Sequence, residues 1–356
     1  MHLRCHTTML GAALLLASLF GPASHAAPPR LVLAHDASPP PGLARLSDQI
    51  ADIQRTMHSR FGIDTVYIVG GSARSVLDAT YGFQRLKMRD LDLFAVSNTR
   101  GRATRTLTGR LARQLAGLGY HKHPLENRLR GDPTRGKRGI NNNAGYGFFL
   151  DRPGDETVVD ISLLHSPAAL QLNGPLNIDR IKIPIRAGQS LIDVWKQMRG
   201  KPYHHLVQSG VVQDQDKGYI GWRTGRLKLV NPGDIWADVE RMKPRLVKSF
   251  LKAGARMPRA LVRQLRAMPQ QRARDPELEL RYTQRVLELP LEQAAQGLTL
   301  LRKLRAPALN DPRVTQSARY RQVAAHTARA VPRRWPDVGK THKVPQQTAA
   351  AISAAR

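Results

Sequence analysis

The chain has 356 residues, and its 41% hydrophobic content is typical of a globular protein with room for about two or three domains. Its 56 Lys and Arg against 27 Asp and Glu give a formal net charge of +29, so polyanions, nucleic acid ahead of anionic lipid, are the expected partners. A GC-rich genome that places arginine on solvated surfaces is the alternative explanation. The single cysteine is Cys5, so a mature chain from which an amino-terminal signal peptide has been cleaved would have no disulfide and no thiolate metal site.

The first 26 residues have the pattern of a signal peptide. Arg4 precedes the apolar stretch MLGAALLLASLFG, which is too short to span a bilayer, and Ser24 and Ala26 provide the small residues of a cleavage site. Cleavage after Ala26 predicts an exported protein, periplasmic or secreted, with no transmembrane segment in the mature chain. If the signal is not used, the protein is cytoplasmic.

Alternating helix and strand patterns follow a proline-rich linker predicted at 27–43. A first amphipathic helix ends at Gly62, and its apolar residues recur at helical spacing: Leu46, Ile50, Ile53 and Met57. Next come strand TVYIV, helix SARSVLDATYG, strand LDLFAV and a helix with leucines at 107, 111, 115 and 118. The basic, glycine-rich stretch 121–145 has no period and is predicted to be a loop.

The second half of the chain changes from strand to helix patterns. Strands YGFFLD and TVVDISLLH are joined by RPGDE, a hairpin-turn composition, and LNIDRIKIPI predicts one more strand. We therefore expect a head domain at 44–192, a basic helical neck and body at 193–310, and a flexible basic tail at 311–356. From Pro312 onward, nine Lys or Arg accompany a single acidic residue.

Three strand aspartates form the sharpest candidate site. Asp90 and Asp92 alternate along one strand, so their side chains share a face while the intervening leucines point into the core. Asp160 lies in the middle of an apolar strand, where burial without a partner would be costly. Three such carboxylates suit two Mg²⁺ ions that act on a triphosphate, whereas an isolated D-x-D is often only a solvated turn pair.

A glycine bend lies between the strand and the helix that precede these aspartates. Gly70 and Gly71 allow a phosphate to approach main-chain N–H groups at the positive end of the helix. Ser72 adds a hydroxyl donor, and Arg74 adds a guanidinium fork one turn further on. Taken alone, this pattern is a weak signal for phosphate binding.

Together these motifs resemble the class II nucleotidyltransferases, the bacterial poly(A) polymerases and CCA-adding enzymes. YIVGGSARSVL followed by RDLDLFAV is similar to the head-domain signature, a Gly-Gly-x-x-Arg segment before Asp-x-Asp, and Asp160 falls at the third acidic position. GYIGWRTGRLKLVNP followed by DIWADVERMKPRLVKSFLKAG is similar to the entry of the neck. The resemblance spans residues 63–255.

The resemblance implies an α+β fold, with a mixed β-sheet head of the nucleotidyltransferase type followed by an all-α neck and body. It implies transfer of a nucleotide, AMP from ATP or a nucleotide from another nucleoside triphosphate, to an acceptor hydroxyl, most simply an RNA 3′-OH. The residues that it assigns are, for two Mg²⁺ ions and catalysis, Asp90, Asp92 and Asp160; for the triphosphate, Gly70, Gly71, Ser72 and Arg74; and for the incoming base, Asp238 and Arg241.

Two departures keep the acceptor and the base open. Ser75 replaces the aspartate that usually follows the first-motif arginine, and Pro244 stands where the neck has a further arginine. A small molecule or a protein is therefore an alternative acceptor. A non-catalytic, exported polyanion-binding protein that keeps the fold is a further alternative, because the periplasm holds almost no ATP.

A basic helical stretch is the predicted contact surface for RNA. Residues 241–274 contain eleven Lys or Arg and no acid, with apolar residues at helical spacing. One face would pack, and the other, together with the tail, would follow a phosphate backbone; a merely solvated face is the alternative. None of His121, His123, His204 and His205 has a histidine at the i, i+4 spacing of a metal-binding pair, so structural or surface roles are expected for them.

Overall fold

The computed structural model describes residues 38–86, 88, 90–97, 102–122, 145–154, 157–164, 166–167, 170, 174–230, 239–268 and 276–329. The chain divides into two compact units, one of residues 30–231 and one of residues 1–29 and 232–356. The predicted head boundary at residue 192 therefore falls inside the first unit. In the described parts of the chain, no helix combines the length and apolar character needed to cross a membrane.

The first unit contains six strands and six α-helices among its described residues. In chain order they are α1 (Leu43–Phe61), β1 (Thr65–Val69), α2 (Gly70–Thr80), β2 (Asp90–Val96), α3 (Arg102–Ala116), β3 (His121–Lys122), β4 (Gly145–Asp151), β5 (Val158–Leu164), β6 (Lys182–Arg186), α4 (Leu191–Met198), α5 (Tyr203–Gln208) and α6 (Gly218–Thr224).

The described strands form one sheet in the order β3-β4-β5-β2-β1-β6. β2 and β5 are parallel, whereas β1/β2, β1/β6, β3/β4 and β4/β5 are antiparallel. The sheet is therefore mixed, and the predicted α+β class is confirmed. The predicted hairpin also forms, because β4 and β5 pair as antiparallel neighbours.

The main core lies between one face of the sheet and the helices of the first unit. Leu91 and Leu93 of β2 and Ile161 of β5 are fully buried there. α1 and α3 join the same core through the residues at their helical spacing, which include Ile50, Ile53, Met57, Leu111 and Leu115. Since strand side chains alternate, the aspartates of β2 and β5 lie on the opposite face.

The segment predicted as one strand over 176–185 is divided in the structure. A 3₁₀ turn, Asn177–Arg180, precedes β6. The main-chain N–H of Asn177 donates to the Lys228 carbonyl at 2.9 Å. Tertiary pairing of this turn therefore overrides the apolar alternation of the sequence. The loop predicted at 121–145 lies outside the described residues except at its two ends, which are paired in β3 and β4.

β6 forms one edge of the described sheet, and none of its outward main-chain N–H groups is left without a partner. Lys182 exchanges two hydrogen bonds with Gln213, of 3.0 and 2.8 Å. Pro184, the next outward residue, has no N–H, and the Arg186 N–H donates to the Gln189 side-chain oxygen at 3.3 Å.

The described part of the second unit is helical. It contains α7 (Val239–Lys252), α8 (Arg259–Ala267), α9 (Pro276–Leu287), α10 (Leu291–Lys303), a 3₁₀ turn (Pro307–Asn310), α11 (Pro312–Thr315) and α12 (Ala318–Arg329). The prediction of a flexible tail from residue 311 is thus wrong as far as Arg329. α12 packs against α10, and its Val323 is fully buried, so this basic helix is anchored to the second unit.

Candidate functional site

The register of two parallel strands brings the predicted aspartates onto one face. Asp92 of β2 lies directly opposite Asp160 of β5, and Asp90 precedes Asp92 by two residues on the same face. All three are partly exposed, whereas the alternating neighbours Leu91 and Val159 are fully buried. The sheet therefore presents three carboxylates at one end of a face whose other end is apolar.

This apolar end is a small second cluster. Val69, Phe94, Leu164 and Leu170 are buried together, with Tyr67 packed against them. Phe94 and Leu164 lie two and four residues beyond the Asp92/Asp160 pair along β2 and β5. The carboxylates are thus attached to strands that are fixed on both faces, which limits movement of their main chain.

The three aspartates suit a hard divalent cation, because they supply oxygen ligands and lie on one face of the sheet. Aspartate oxygens are the ligands that Mg²⁺ prefers. In their present side-chain positions, however, the described residues contain no group of three or more His, Cys, Asp or Glu side chains close enough to hold a metal ion. The register places the three residues together, and their side chains would have to turn toward one another to share an ion.

Ser72 connects the start of α2 to the aspartate strand. Its Oγ accepts a hydrogen bond from the Asp92 N–H at 2.8 Å and lies 3.1 Å from the Asp90 carbonyl and 3.3 Å from Asp92 Oδ2. The side chain is only 1% exposed. The hydroxyl predicted to contact phosphate is therefore occupied with β2, and Ser72 fixes the position of Asp92.

The two glycines have different roles. Gly70 has a φ of +54°, a conformation that favours glycine, and its N–H donates to the Ile181 carbonyl at 3.1 Å. Its N–H is thus not open to a phosphate. Gly71 is exposed, and a Cβ at this position would lie 3.7 Å from an Arg74 guanidinium nitrogen and 3.9 Å from Asp92 Oδ2. The missing side chain leaves a gap between a cation and a carboxylate.

Arg74 is held by two contacts that the sequence motif does not reveal. Its guanidinium donates to the Ile178 carbonyl of the 3₁₀ turn and lies over the Trp222 ring of α6, 5.0 Å from the ring centroid. A stacked and hydrogen-bonded guanidinium has few alternative positions. The fork predicted from the sequence is therefore oriented before any ligand binds.

Asp78 in turn holds Trp222. The Trp222 indole N–H donates to Asp78 Oδ2 at 3.0 Å, the Tyr219 hydroxyl donates to Oδ1 at 3.0 Å, and Arg223 lies 3.5 Å from Oδ1. Burial raises the pKa of the Asp78 carboxyl above its ordinary value, while the Trp222 hydrogen bond and the Arg223 charge act in the opposite direction. Asp78, one helical turn beyond Arg74, thus supports the ring on which Arg74 rests.

The remaining predicted residues belong to the second unit. Asp238 lies outside the described residues, and Arg241 is a partly buried residue of α7. Pro244 lies within α7 and is buried. On α8, Leu261 and Leu265 are buried, while Arg259, Arg263 and Arg266 are exposed and have no hydrogen-bond or ion-pair partner among the described residues.

Comparison with known proteins finds similarity to solved structures. No protein-family model and no curated protein matches the chain. The chain is similar to the apo form of a CCA-adding enzyme, with 12% identity and a TM-score of 0.38 over 79% of this chain and 50% of that one. It is also similar to a CCA-adding enzyme in complex with ATP, with 12% identity and a TM-score of 0.41 over 87% and 69% of the two chains. The chain thus spans half the length of the first of these enzymes.

Proposed function

We propose that the chain is a metal-dependent nucleotidyltransferase that moves a nucleotide, AMP from ATP in the simplest case, to the 3′-OH of RNA. The observation that carries this proposal is the Asp92/Asp160 pair, which adjoins Asp90 on one sheet face beside the Gly71 gap and the oriented Arg74. Binding of a triphosphate in this gap would put its negative charge next to the guanidinium. Because Gly71 has no Cβ, a phosphate can approach its main chain more closely than it could that of another residue.

The residues have separate roles in this proposal. Arg74 binds the triphosphate, the exposed Gly71 at the first turn of α2 lets it approach the main chain, and Ser72 Oγ keeps Asp92 in place. Asp90, Asp92 and Asp160 would hold Mg²⁺, which lowers the pKa of a bound hydroxyl and neutralises a leaving pyrophosphate. Asp160 also helps to position the attacking hydroxyl.

The transfer needs no covalent enzyme intermediate. The acceptor oxygen forms a bond to the α-phosphorus, and the bond from that phosphorus to the oxygen bridging to the β-phosphate breaks. Pyrophosphate leaves with the electron pair, and the hydroxyl proton passes to a carboxylate or to water. Fixed charges at the site stabilise the negative charge that develops in the transition state. Such stabilisation is the largest contribution to rate acceleration in many enzymes.

The test is transfer of label from ATP labelled at the α-phosphate, with Mg²⁺, single-stranded RNA and a cell extract as competing acceptors. Asp92→Asn removes one charge at the site, and we expect at least about a 100-fold loss of transfer, typical for loss of a preorganised charged group. Asp48→Asn, an exposed aspartate of α1, is the matched control and should transfer normally. Equal activity of the Asp92→Asn variant and the wild type would refute the catalytic role.

Two other outcomes would change the function. Label on a protein or a small molecule, with none on RNA, would identify the alternative acceptor class suggested by Pro244. The absence of any transfer, with RNA binding retained, would favour the non-catalytic polyanion-binding protein. The non-catalytic alternative has its own support in the structure, since the described carboxylates do not converge on one point in their present positions.

We also propose export through the signal peptide at 1–26, which lies outside the described residues. Amino-terminal sequencing of the natural protein should begin at Ala27. A mature chain that retains Met1 would refute export and would place the site where ATP is abundant.

A further inference from the structure

A basic cleft lies in the first unit between the end of α1 and the outer surface of α3. It has a volume of about 390 Å³ and is lined by Arg60, Phe61, Arg110, Arg113 and Gln114. α1 and α3 pack against the leucine face of the sheet, so the cleft lies on the side away from the aspartates. It is therefore separate from the proposed transfer site, and none of its residues has a role there.

The three arginines of the cleft have no partner among the residues that the structure describes. All are exposed, and none makes a hydrogen bond or ion pair with another described residue. Other cations nearby are paired, since Arg55 lies 2.9 Å and Arg152 3.6 Å from the carboxylate of Asp52. None of the described residues that line the cleft is acidic. Three like charges around one concavity repel one another and attract an anion with several charges.

The aromatic residue of the cleft is firmly held. Phe61 is the last residue of α1, and part of its ring packs against the main core. Gly62 follows with a φ of +64°, and its N–H caps the helix by donating to the His58 carbonyl at 2.9 Å. The exposed part of the ring therefore forms a fixed apolar surface beside the guanidinium groups, and Gln114 adds an amide.

We propose that this cleft binds single-stranded RNA, with consecutive phosphates on Arg60, Arg110 and Arg113 and a base against Phe61. The combination of unpaired guanidinium groups with one aromatic surface matches the way proteins bind single strands, in which cations follow the backbone and rings stack on bases. The choice of RNA rests on the proposed function, in which RNA is the acceptor. The binding itself needs neither nucleotide nor metal.

The test measures binding of a fluorescent single-stranded oligoadenylate to the full chain, without ATP or Mg²⁺, over a range of salt concentrations. The variant R60Q/R110Q/R113Q removes the three cations of the cleft. Because each phosphate contact contributes about 0.7 to the salt dependence for single strands, the slope of log K against log salt should fall by about 2. At low salt, affinity should fall at least about 10-fold.

The matched control R55Q/K196Q/K201Q removes the same charge from exposed positions outside the cleft. It should leave the slope within about 0.5 of the wild type if cleft contacts, and not general charge, determine the slope. Phe61→Leu should weaken binding while leaving the slope unchanged. Photo-crosslinked RNA should be attached to the peptide that contains Phe61 in the wild type.

Several outcomes would overturn the cleft proposal. These are equal slopes for the two triple variants, no effect of either, or cleft-dependent binding to anionic vesicles without binding to RNA. The Asp92→Asn variant separates this proposal from the transfer reaction, since it should bind RNA as the wild type does. Loss of transfer in Asp92→Asn, together with an unchanged salt slope in R60Q/R110Q/R113Q, would therefore refute the cleft proposal and leave the catalytic proposal intact.

Discussion

Arg74 illustrates how a single side chain is oriented by residues far away in sequence. The Asp78 carboxylate accepts the Trp222 indole N–H, a contact between residues separated by 144 positions, and the Trp222 ring lies under the guanidinium. The Ile178 carbonyl accepts from the other side of the fork. Each contact removes alternative rotamers of Arg74, so less conformational entropy is lost when an anion binds.

We predict that Trp222→Leu raises the KM for ATP by about 3- to 30-fold, because a cation–π contact contributes about 0.5–2 kcal/mol. kcat should change less, since Trp222 acts on binding through Arg74. Trp222→Phe keeps an aromatic face but loses the indole N–H, and its effect should be intermediate. Steady-state kinetics measures both quantities. Unchanged KM in Trp222→Leu, or a fall confined to kcat, would contradict this role.

At the residue scale, the aspartates could be predicted from sequence and the support of Arg74 could not. Alternation in a strand is a local rule, so Asp90 and Asp92 share a face whatever the fold. Asp78 follows Arg74 by four positions in a helix, so the sequence indicates that the two side chains share a helix face. The contact between Asp78 and Trp222 depends on the packing of α6 and has no such local signal. The bonding of Ser72 to Asp92 could not be predicted for the same reason, because it depends on the packing of α2 against β2.

Helix α6 contains two glycines and packs closely against the 3₁₀ turn, and this packing determines where the elements of the site meet. A Cβ at Gly218 would lie 2.3 Å from the Asn177 carbonyl oxygen, and a Cβ at Gly221 would lie 2.6 Å from the Arg226 carbonyl oxygen. Both obstacles are main chain, so neither can rotate away. These glycines therefore allow α6 to bring Trp222 to Arg74.

We predict that Gly218→Ala lowers the free energy of unfolding by about 1–3 kcal/mol, because the added methyl overpacks main-chain atoms. Gly109→Ala is the control: it lies within α3 with no atom within 4 Å of the added Cβ. This change should raise the free energy of unfolding by about 0.5–1 kcal/mol through helix propensity. Urea denaturation measures both, and equal effects of the two substitutions would contradict the packing argument.

At the element scale, sequence periodicity predicted elements that pack through one continuous face. α1 has such a face, and the structure places it at Leu43–Phe61 with the predicted end at Gly62. The 3₁₀ turn at Asn177–Arg180 was missed because its sequence alternates like a strand, while its main chain pairs with residues about 50 positions later. Long-range pairing of this kind has no local signal.

On the scale of the whole molecule, the first unit contains a complete core. The buried residues of its main cluster extend from Leu43 to Tyr219, and α4, α5 and α6 contribute Trp195, Tyr203 and Tyr219 to it. The boundary predicted at residue 192 would divide this cluster. The change from strand to helix patterns predicted a new domain after residue 192, whereas short helices can also complete the core of a sheet domain.

We predict that a fragment of residues 38–231 folds cooperatively, because it retains every residue of the main core. A fragment that ends at residue 192 should not, since it loses Trp195, Met198, Tyr203 and Leu206. Circular dichroism during urea unfolding distinguishes the two. Cooperative unfolding of the shorter fragment, or its absence in the longer one, would contradict the assigned boundary.

The edge strand β6 has a consequence for assembly. With Gln213 covering Lys182, proline at 184 and Gln189 accepting from Arg186, no outward N–H of this strand remains to pair with an added strand. An extended peptide or a second copy of the chain thus finds no main-chain donor along this border, which disfavours aggregation through continuous sheets. Recognition on this flank would then rely on side chains and on main-chain acceptors.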